Sequence, residues 1–560
     1  MNNQLLAITL LLATFTSACT SDSGPATAQL QTLVPGSALH APNGITFGPD
    51  GDLYAGSVGA QTVFSINVST AAVEVVVPAP FGEADDVAFA PDGRLVWTAL
   101  VGGEIRALQN DGTVTTVVSD YALINPVYFT TDGRLFAAQI GFDKLYEFPV
   151  DENLALNGEP RLVASKIGNL NSFEISDDNT LYGPLVNNGE VAQINIETGE
   201  VTVIGGGMGT VVAVNLDAAG NVWAIDWVSG DLWRIAKGAD NSWQSPERMT
   251  TVTPPIDNLA VGPDGMIYIS RPAHSAIERV DPATGQHTTL IDGYLAAPGG
   301  MAITTHDGRE TLLVADGYGY RMVDTQSGAV TSTFDITGFG FPAASVAAAA
   351  NADYFALTDV VVRPSVYLVD RKTGKTLVKW RDIKSALGIV LTTAGNPLIT
   401  DYASSTLVQL DRTDRKLRNI IATDLAGPVG VTWANDEQDA VYVAESLTGS
   451  ITRIEILADN PIENNRQQTR TLIVSGLAQP EGITLMSDGR IAVVEVGKQR
   501  LLAVDPANGS VEVLATELPV GHAAANAPGP IHLPSGVAQG ADGTLYISGD
   551  LDNSIRVLRN

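Results

Sequence analysis

Residues 87–99 read VAFAPDGRLVWTA, two apolar segments on either side of an Asp-Gly turn. This arrangement is typical of a β-hairpin, because glycine accepts the positive φ that such a turn requires. The pattern occurs seven times, at 45–57, 87–99, 127–139, 259–271, 302–316, 483–495 and 537–549. Five further segments keep both strands with altered turns, at 173–185, 214–226, 347–359, 389–401 and 431–445. The chain therefore contains twelve copies of one hairpin.

Each hairpin is followed by two more strand-like segments. SAIERVDPATG (275–285) and QRLLAVDPANG (499–509) are examples of a third strand that ends in a polar turn, and AVEVVV (72–77) and SVEVLA (510–515) are examples of a fourth. The repeat length is about 40–47 residues, in the range of propeller repeats. Four antiparallel strands per repeat predict an all-β protein built from β-propeller blades.

Twelve blades exceed the number that usually closes one ring, so two tandem six-bladed β-propellers of four-stranded blades are expected. We place the first propeller at 29–285 and the second at 286–560. In this scheme QLQTLV (29–34) completes the blade begun at 256–281, and QHTTLI (286–291) completes the blade of 535–560. Both discs would then close by an overlap of chain ends, which removes exposed sheet edges.

The N-terminus has the pattern of a bacterial lipoprotein signal. Residues 1–19 contain a short apolar segment and end at Cys19, the single cysteine of the chain, and 20–28 form a polar tether. We expect lipidation at Cys19 and, because Thr20 follows it, sorting to the outer membrane, facing the periplasm or the exterior. The net charge of −30 argues against nucleic-acid partners, so the lipid anchor would be the one membrane contact.

A Pro-x-Gly-apolar motif begins the first strand of several blades, and we expect the residue before its glycine to face the propeller axis. In the first propeller this position holds Asn43, Asp85, Asn125, Asn171, Val212 and Asp257. In the second it holds Gly299, Ala343, Leu387, Val429, Glu481 and Ser535. The first axis is therefore rich in oxygen donors, whereas the second is mostly apolar and Glu481 is expected on its solvated rim.

Oxygen donors that converge on an axis suit Ca²⁺ or another oxygen-preferring divalent cation. The predicted metal ligands are Asn43, Asp85, Asn125, Asn171 and Asp257. The alternative is that these side chains only satisfy amides of nearby turns.

A second set of polar positions ends the next strand of each blade. The second propeller is acidic there, with Asp316, Asp359, Asp401, Glu445, Glu495 and Asp550, which we expect to hold the following turn through backbone hydrogen bonds. The first propeller has Asp226 at this position. His522 and His532 lie in a long loop expected over the second axis near Glu481, and His40 precedes the Asn43 motif.

The Asp-Gly blades and their Pro-x-Gly leads resemble the six-bladed propellers of the senescence marker protein/gluconolactonase family, and more loosely paraoxonases and NHL-repeat proteins. The resemblance implies a metal at the axial positions of the first propeller. Ala84-Asp85-Asp86-Val87 and Ile256-Asp257-Asn258-Leu259 also resemble the paired calcium contacts of paraoxonases.

From this resemblance we expect metal-dependent hydrolysis of a small lactone or ester, with Asp257 holding the metal and Asp226 accepting the proton. No G-x-S-x-G nucleophile motif occurs in the chain. Two alternatives stay open: a non-catalytic scaffold that binds an envelope protein, and a lyase resembling streptogramin lyase. If the protein is a hydrolase or a lyase, its partner is expected to be a small-molecule substrate.

Overall fold

A computed structural model describes residues 30–333, 345–360, 364–456, 469–523 and 534–559. The described chain is almost entirely β, with twelve four-stranded antiparallel sheets and short 3₁₀ turns at Pro272–His274 and Val496–Lys498. No helix in these ranges is long and apolar enough to cross a membrane. The predicted signal peptide with Cys19, the tether, Ala343 and His532 lie outside the described residues.

The first six sheets are consecutive in the chain and form a closed ring, the first ring, because the innermost strand β2 contacts the innermost strand β22. Its strands, blade by blade, are β2–β5 (Ile45–Phe47, Leu53–Ser57, Thr62–Asn67, Ala72–Val77), β6–β9 (Val87–Phe89, Leu95–Ala99, Glu104–Leu108, Val114–Val118), β10–β13 (Ile124–Phe129, Leu135–Gln139, Lys144–Phe148, Arg161–Ser165), β14–β17 (Glu174–Ile175, Thr180–Leu185, Glu190–Asn195, Val201–Gly206), β18–β21 (Val211–Leu216, Val222–Asp226, Asp231–Ile235, Glu247–Thr251) and β22–β25 (Leu259–Val261, Ile267–Arg271, Ala276–Val280, His287–Ile291).

The other six sheets form the second ring, in which β26 contacts β46. Its strands are β26–β29 (Pro298–His306, Arg309–Asp316, Gly319–Asp324, Val330–Thr333), β30–β33 (Ser345–Ala350, Tyr354–Asp359, Ser365–Asp370, Thr376–Trp380), β34–β37 (Ala386–Leu391, Pro397–Asp401, Thr406–Leu410, Arg418–Ala422), β38–β41 (Pro428–Trp433, Ala440–Glu445, Ser450–Glu455, Arg470–Val474), β42–β45 (Pro480–Leu485, Ile491–Glu495, Arg500–Val504, Val511–Ala515) and β46–β48 (Val537–Gln539, Leu545–Gly549, Ser554–Leu558) with β1 (Leu30–Val34).

The predicted exchange of closing strands is wrong. Strand β25 completes its own blade, with His287 opposite Val280 of β24. Strand β1 pairs instead with β48 at the other end of the chain, with Leu30 opposite Leu558 and Val34 opposite Ile555. The second ring therefore contains both ends of the described chain, and the first ring is inserted between the closing strand and the first blade of the second.

The Asp-Gly turns have the expected conformation. Gly93 has φ +87°, and its amide donates to the carbonyl of Ala90 at 2.9 Å. Asp92 accepts the amide of Arg94 at 3.1 Å through its carboxylate. The aspartate thus caps the turn while the glycine supplies the left-handed backbone, so the repeated dipeptide has a separate physical role for each residue.

The hydrophobic core is divided among the contacts between neighbouring blades. Phe129 and Phe148 of the third blade pack with Val96 and Ile105 of the second in one cluster of buried side chains. Equivalent clusters close each ring; in the second, Val34 of β1 lies in the same cluster as Ile555 and Met301. Burial of β1 is thus part of the closure of the second ring.

The two rings contact each other near the two chain crossings. The amide of Ser37 donates to the carbonyl of Asp552 at 3.0 Å, and the side chain of Asn553 donates to the carbonyl of Leu39 at 2.9 Å. Arg321 of the second ring is fully buried, pairs with Asp316 at 2.9 Å and donates to the carbonyl of Ala273 in the first ring. This contact links a buried charge in one ring to the backbone of the other.

We expect Arg321→Met to lower the free energy of unfolding by about 3–5 kcal/mol, because it leaves the buried carboxylate of Asp316 without its cationic partner. Equilibrium denaturation followed by circular dichroism measures the change. Arg309→Met is the matched control, since Arg309 is 80% exposed in its ion pair with Asp324 and should change stability by less than about 0.5 kcal/mol. Equal effects of the two variants would contradict the role of the buried pair.

Candidate active site at the axis of the first ring

The axial residues are held by backbone hydrogen bonds to the second strand of the same blade, both in the Pro-x-Gly lead of Asn43 and in the leads of Asp85 and Asp257, which lack that glycine. The amide of Asn43 donates to Gly56 at 2.8 Å, that of Asp85 to Thr98 at 2.9 Å and that of Asp257 to Ser270 at 3.1 Å. The glycine of the motif is needed for close approach: a Cβ on Gly44 would lie 2.4 Å from Oδ1 of Asp86 and 2.6 Å from the carbonyl oxygen of Asp85.

The structure joins four of the predicted axial residues of the first ring in two hydrogen-bonded pairs. The side-chain nitrogen Nδ2 of Asn43 donates to Oδ2 of Asp257 at 3.0 Å, which joins the first blade to the sixth. The amide nitrogen of Asn125 donates to Oδ1 of Asn171 at 2.8 Å, which joins the third blade to the fourth. The axial side chains are therefore gathered rather than spread over the surface.

A second layer consists of the residues that follow two of the axial aspartates. Asp86 accepts the amide of Val127 at 3.1 Å through Oδ2, and Oδ1 accepts the side-chain amide of Asn258 at 3.4 Å. Oδ1 of Asn258 accepts the hydroxyl of Ser172 at 3.2 Å. This chain of hydrogen bonds links the second, fourth and sixth blades beneath the axial residues.

Asp85 and Asp257, the axial carboxylates, are largely surrounded by protein but keep some contact with solvent, whereas Asp86 of the second layer is buried. Burial raises the pKa of Asp86 to about 7 and that of Asp257 to about 6. Burial, with repulsion from Asp257 and then Asp86, raises the pKa of Asp85 well above its usual value. Among the charges that shift these three groups, none in the described chain is a Lys, Arg or His.

These shifts predict a pH dependence of stability in the absence of metal. A carboxyl group whose pKa is higher in the folded state stabilises the fold below the unfolded pKa, and this contribution is lost as the pH rises through the folded pKa. We expect Asp257→Asn to become more stable relative to the wild type as the pH rises from 4 to 7. The difference between their free energies of unfolding should grow by about 3 kcal/mol over this range. Urea denaturation in EDTA at a series of pH values measures it; parallel curves would contradict the shifts.

The side chains on this axis offer oxygen atoms, which are the ligands that Ca²⁺ prefers. Asp85 and Asp257 supply charge, and Oδ1 of Asn125 is buried without a hydrogen-bond partner. The side-chain nitrogen of Asn43 donates to Asp257, and its side-chain oxygen accepts the backbone amide of Val58 at 3.2 Å. Asn43 would therefore ligate an ion only if its side-chain amide were rotated by half a turn. In the described ranges no three Asp, Glu, His or Cys side chains are grouped for a metal. A site here would combine carboxylates with amide oxygens.

Asp226, the predicted proton acceptor, is placed differently. Its carboxylate accepts the amides of Thr210 at 3.1 Å and Val228 at 2.9 Å and the hydroxyl of Ser229 at 2.7 Å. In the antiparallel register it lies opposite Val211, where the chain enters the blade. Its oxygens are thus occupied in fixing its own blade, and the structure assigns it a structural role.

The acidic positions of the second ring have the same role. Asp316 accepts the amides of Ala296 and Ala297, and Asp401 accepts that of Ser385, in each case in the loop that leads into the same blade. The sequence predicted that these carboxylates would bond to the turn that follows their own strand. They bond instead to the loop that leads into the blade, because the end of a second strand lies opposite the start of the first.

The axis of the second ring is apolar, as predicted. A cavity there is lined by Leu387, Val429 and Ser535, among others. Glu481 is not a solvated rim residue: it is fully buried, and Oε2 accepts the amide of Ser535 at 2.9 Å. Burial raises its pKa well above the usual value.

His522 and His40 lie between the rings, and His532 lies outside the described residues. Nε2 of His522 donates to the carbonyl of Ala60 at 2.7 Å, and the ring of His522 stacks on that of His40 with centroids 5.1 Å apart. His40 is buried and contacts the carbonyl of Asp550 at 3.2 Å. Neither histidine is therefore placed to act with Glu481 or with the axial carboxylates.

One residue of the axial network was missed by the sequence reasoning. Tyr318 belongs to the second ring, yet its hydroxyl accepts the amide of Asn43 at 3.1 Å. Its ring packs against Trp227 of the first ring, with centroids 6.3 Å apart. No pattern in either repeat indicates this contact, because it depends on how the two rings are placed against each other.

Comparisons with known proteins place the family resemblance in the second ring. Residues 337–529 match the family model of the SMP-30/gluconolactonase/LRE-like region, which confirms the predicted resemblance for that segment. A search of the curated proteins found no match.

Solved structures similar to the chain cover about one ring. A streptogramin B lyase has 16% identity and a TM-score of 0.37, covering 51% of this chain and 94% of its own. Virginiamycin B lyase of Staphylococcus aureus has 16% identity and a TM-score of 0.37, and the match covers 51% of this chain and 96% of the lyase. A gluconolactonase of Xanthomonas campestris has 16% identity and a TM-score of 0.36, and the match covers 44% of this chain and 87% of the gluconolactonase. The family match thus lies on the second ring, whereas the axial carboxylates lie in the first, outside the matched residues.

Proposed function

We propose that the first ring binds a divalent cation of the Ca²⁺ type at its axis and hydrolyses a small lactone or ester there. The observation that carries the proposal is the pair of carboxylates Asp85 and Asp257, which lie close enough to repel each other electrostatically, while no basic side chain of the described chain is among the charges that shift their pKa. Buried like charges are costly unless a proton or a cation compensates them. A cation shared by Asp85, Asp257 and the oxygen of Asn125 would remove that cost.

The chemistry of the proposed reaction is addition of water to an acyl carbon. The water oxygen bonds to that carbon, and its proton passes to a carboxylate of the cluster. The bond between the acyl carbon and the ring or ester oxygen then breaks, and the departing oxygen takes the proton, which gives an acid and an alcohol. A bound divalent cation would polarise the carbonyl group and make the water more acidic.

A pH-stat assay on γ-butyrolactone, δ-valerolactone and phenyl acetate tests the proposal, with the protein first treated with EDTA and then supplied with Ca²⁺, Mg²⁺ or Mn²⁺. We expect cation-dependent hydrolysis that falls at least about 100-fold in Asp85→Asn, since the variant removes one of the two charged ligands. Glu481→Gln, which alters the axial carboxyl group of the second ring, should stay within about twofold. Hydrolysis that survives EDTA unchanged, or none with any cation, would contradict the proposal.

A binding function is the second candidate, and exposed apolar side chains favour it. Val101, Phe142 and Leu447 are 48%, 53% and 72% exposed, and all three lie in turns that follow the second strand of a blade. Val101 and Phe142 lie in equivalent turns of neighbouring blades of the first ring, and exposed apolar side chains in such positions suit a protein partner in the envelope. Loss of partner binding in Phe142→Ser and Leu447→Ser, with hydrolysis absent in the wild type, would favour this function.

We also propose that Cys19 carries the lipid anchor, which would place the chain in the bacterial envelope. Metabolic labelling with a fatty acid tests this directly. Label should appear in the wild type and be lost in Cys19→Ser, and label that persists in the variant would contradict anchoring at this residue.

A further inference from the structure

Tyr318 stands at the tip of the turn between β27 and β28 of the second ring, between Gly317 and Gly319. The turn reaches the axial network of the other ring. The amide nitrogen of Asn43 donates both to the hydroxyl of Tyr318, at 3.1 Å, and to Asp257, at 3.0 Å. A single amide group therefore joins the tyrosine to one of the axial carboxylates.

The hydrogen-bonding capacity of this hydroxyl is only partly used. A phenol can accept and can also donate one proton. Asn43 uses the acceptor side, and within the described ranges the hydroxyl has no acceptor for its own proton. A phenol keeps that proton at neutral pH, because its ordinary pKa is about 10. The tyrosine thus offers a free donor at the axial site.

The fifth blade of the first ring has apolar side chains next to Tyr318, since Trp227 contacts the tyrosine and packs against the buried cluster that contains Val212. Trp227 packs on the tyrosine ring, and Val212, the one apolar residue among the six axial positions of the first ring, belongs to the same blade as Trp227. The carboxylates come from the second and sixth blades. The site therefore has a polar side and an apolar side, with the tyrosine next to both.

We propose that the second ring supplies Tyr318 to the axial site of the first as the donor to the carbonyl oxygen of the substrate, and that the site takes alkyl lactones in preference to polyhydroxylated ones. The inference rests on the proposed hydrolase function. As water adds to the acyl carbon, the carbonyl oxygen gains negative charge, and a fixed donor stabilises it more than it stabilises the ground state. The hydrocarbon part of the substrate would lie against Val212 and Trp227.

Tyr318→Phe tests the role of the hydroxyl and keeps the ring that packs on Trp227. We expect kcat for δ-hexalactone to fall about 100-fold, with KM changed by less than about threefold and Ca²⁺ affinity retained. Tyr402→Phe is the matched control, because Tyr402 lies in the corresponding turn of the third blade of the second ring and packs over Leu387 and Val429. It should leave kcat unchanged. Equal kcat in wild type and Tyr318→Phe would overturn the proposal.

The preference for alkyl lactones is tested by comparing δ-hexalactone with glucono-δ-lactone. We expect kcat/KM to be at least tenfold higher for the alkyl lactone, and Val212→Ser to reduce that ratio. A preference for the sugar lactone would overturn the assignment of the apolar side.

A readout that needs no turnover separates this inference from the proposed function. 3-Fluorotyrosine placed at position 318 or at position 402 of the full chain is followed by ¹⁹F NMR during titration with Ca²⁺ and then with δ-hexalactone. We expect the resonance at 318 to shift with both and that at 402 with neither. Shifts at 318 without hydrolysis would overturn the hydrolase function but keep the shared site; no shift at 318 would overturn the shared site.

Discussion

Asp257→Ala is expected to abolish tight Ca²⁺ binding while the protein stays folded. In the proposed site this residue is one of two charged ligands, and the side-chain nitrogen of Asn43 donates to its carboxylate at 3.0 Å. We expect the dissociation constant to rise at least about 100-fold, or about 2.7 kcal/mol. Isothermal titration calorimetry on the EDTA-treated protein measures the affinity, and circular dichroism checks the fold.

Glu481→Gln is the control for this experiment, because it also replaces a buried axial carboxyl group but in the second ring. Its amide oxygen can still accept the amide of Ser535. The account predicts wild-type Ca²⁺ affinity for this variant. Affinity lost in Glu481→Gln and kept in Asp257→Ala would move the cation site to the second ring.

Deletion of residues 30–34 is expected to destabilise the second ring and spare the first. The deleted strand β1 pairs with β48, and Val34 is completely buried in the cluster that closes the second ring. Loss of that burial and of the strand pairing should cost roughly 4 kcal/mol or more. It also leaves β48 as an open sheet edge, which favours aggregation.

Calorimetry of the deletion variant measures this effect, because two rings with separate cores can unfold in separate transitions. We expect the transition of the second ring to move to lower temperature and Ca²⁺ still to raise that of the first. If 29–34 instead completed the blade begun at 256–281, as first expected from the sequence, the deletion would destabilise the first ring and spare the second. Destabilisation confined to the first ring would therefore contradict the observed strand pairing.

The repeated hairpin was enough to predict the all-β fold and its four-stranded blades. Asp92 and Gly93 act locally within one turn, so their effect is encoded in adjacent residues. The closing strand was not predictable in the same way. QLQTLV and QHTTLI have similar patterns, and nothing within either segment states which distant blade it completes.

Asn43 was predictable as an axial residue because the glycine of its Pro-x-Gly lead marks where neighbouring blades come close together, and the other axial positions of the first ring followed from the spacing of the repeats. Gly44, with Asp86 against its backbone, shows the physical basis. The role of Asp226 was not predictable from residue type, since an aspartate that fixes a loop and one that acts in catalysis look alike in sequence. Tyr318 was missed because its contact joins the two rings.

The central claim is that a divalent cation lies between the axial carboxylates of the first ring. Diffraction from crystals grown with Ca²⁺, with data collected where calcium scatters anomalously, tests it most directly. The account predicts an anomalous peak on that axis, at about 2.3–2.6 Å from carboxylate oxygens of both Asp85 and Asp257. An axis without such a peak, or a peak beside Glu481 in the second ring instead, would contradict it.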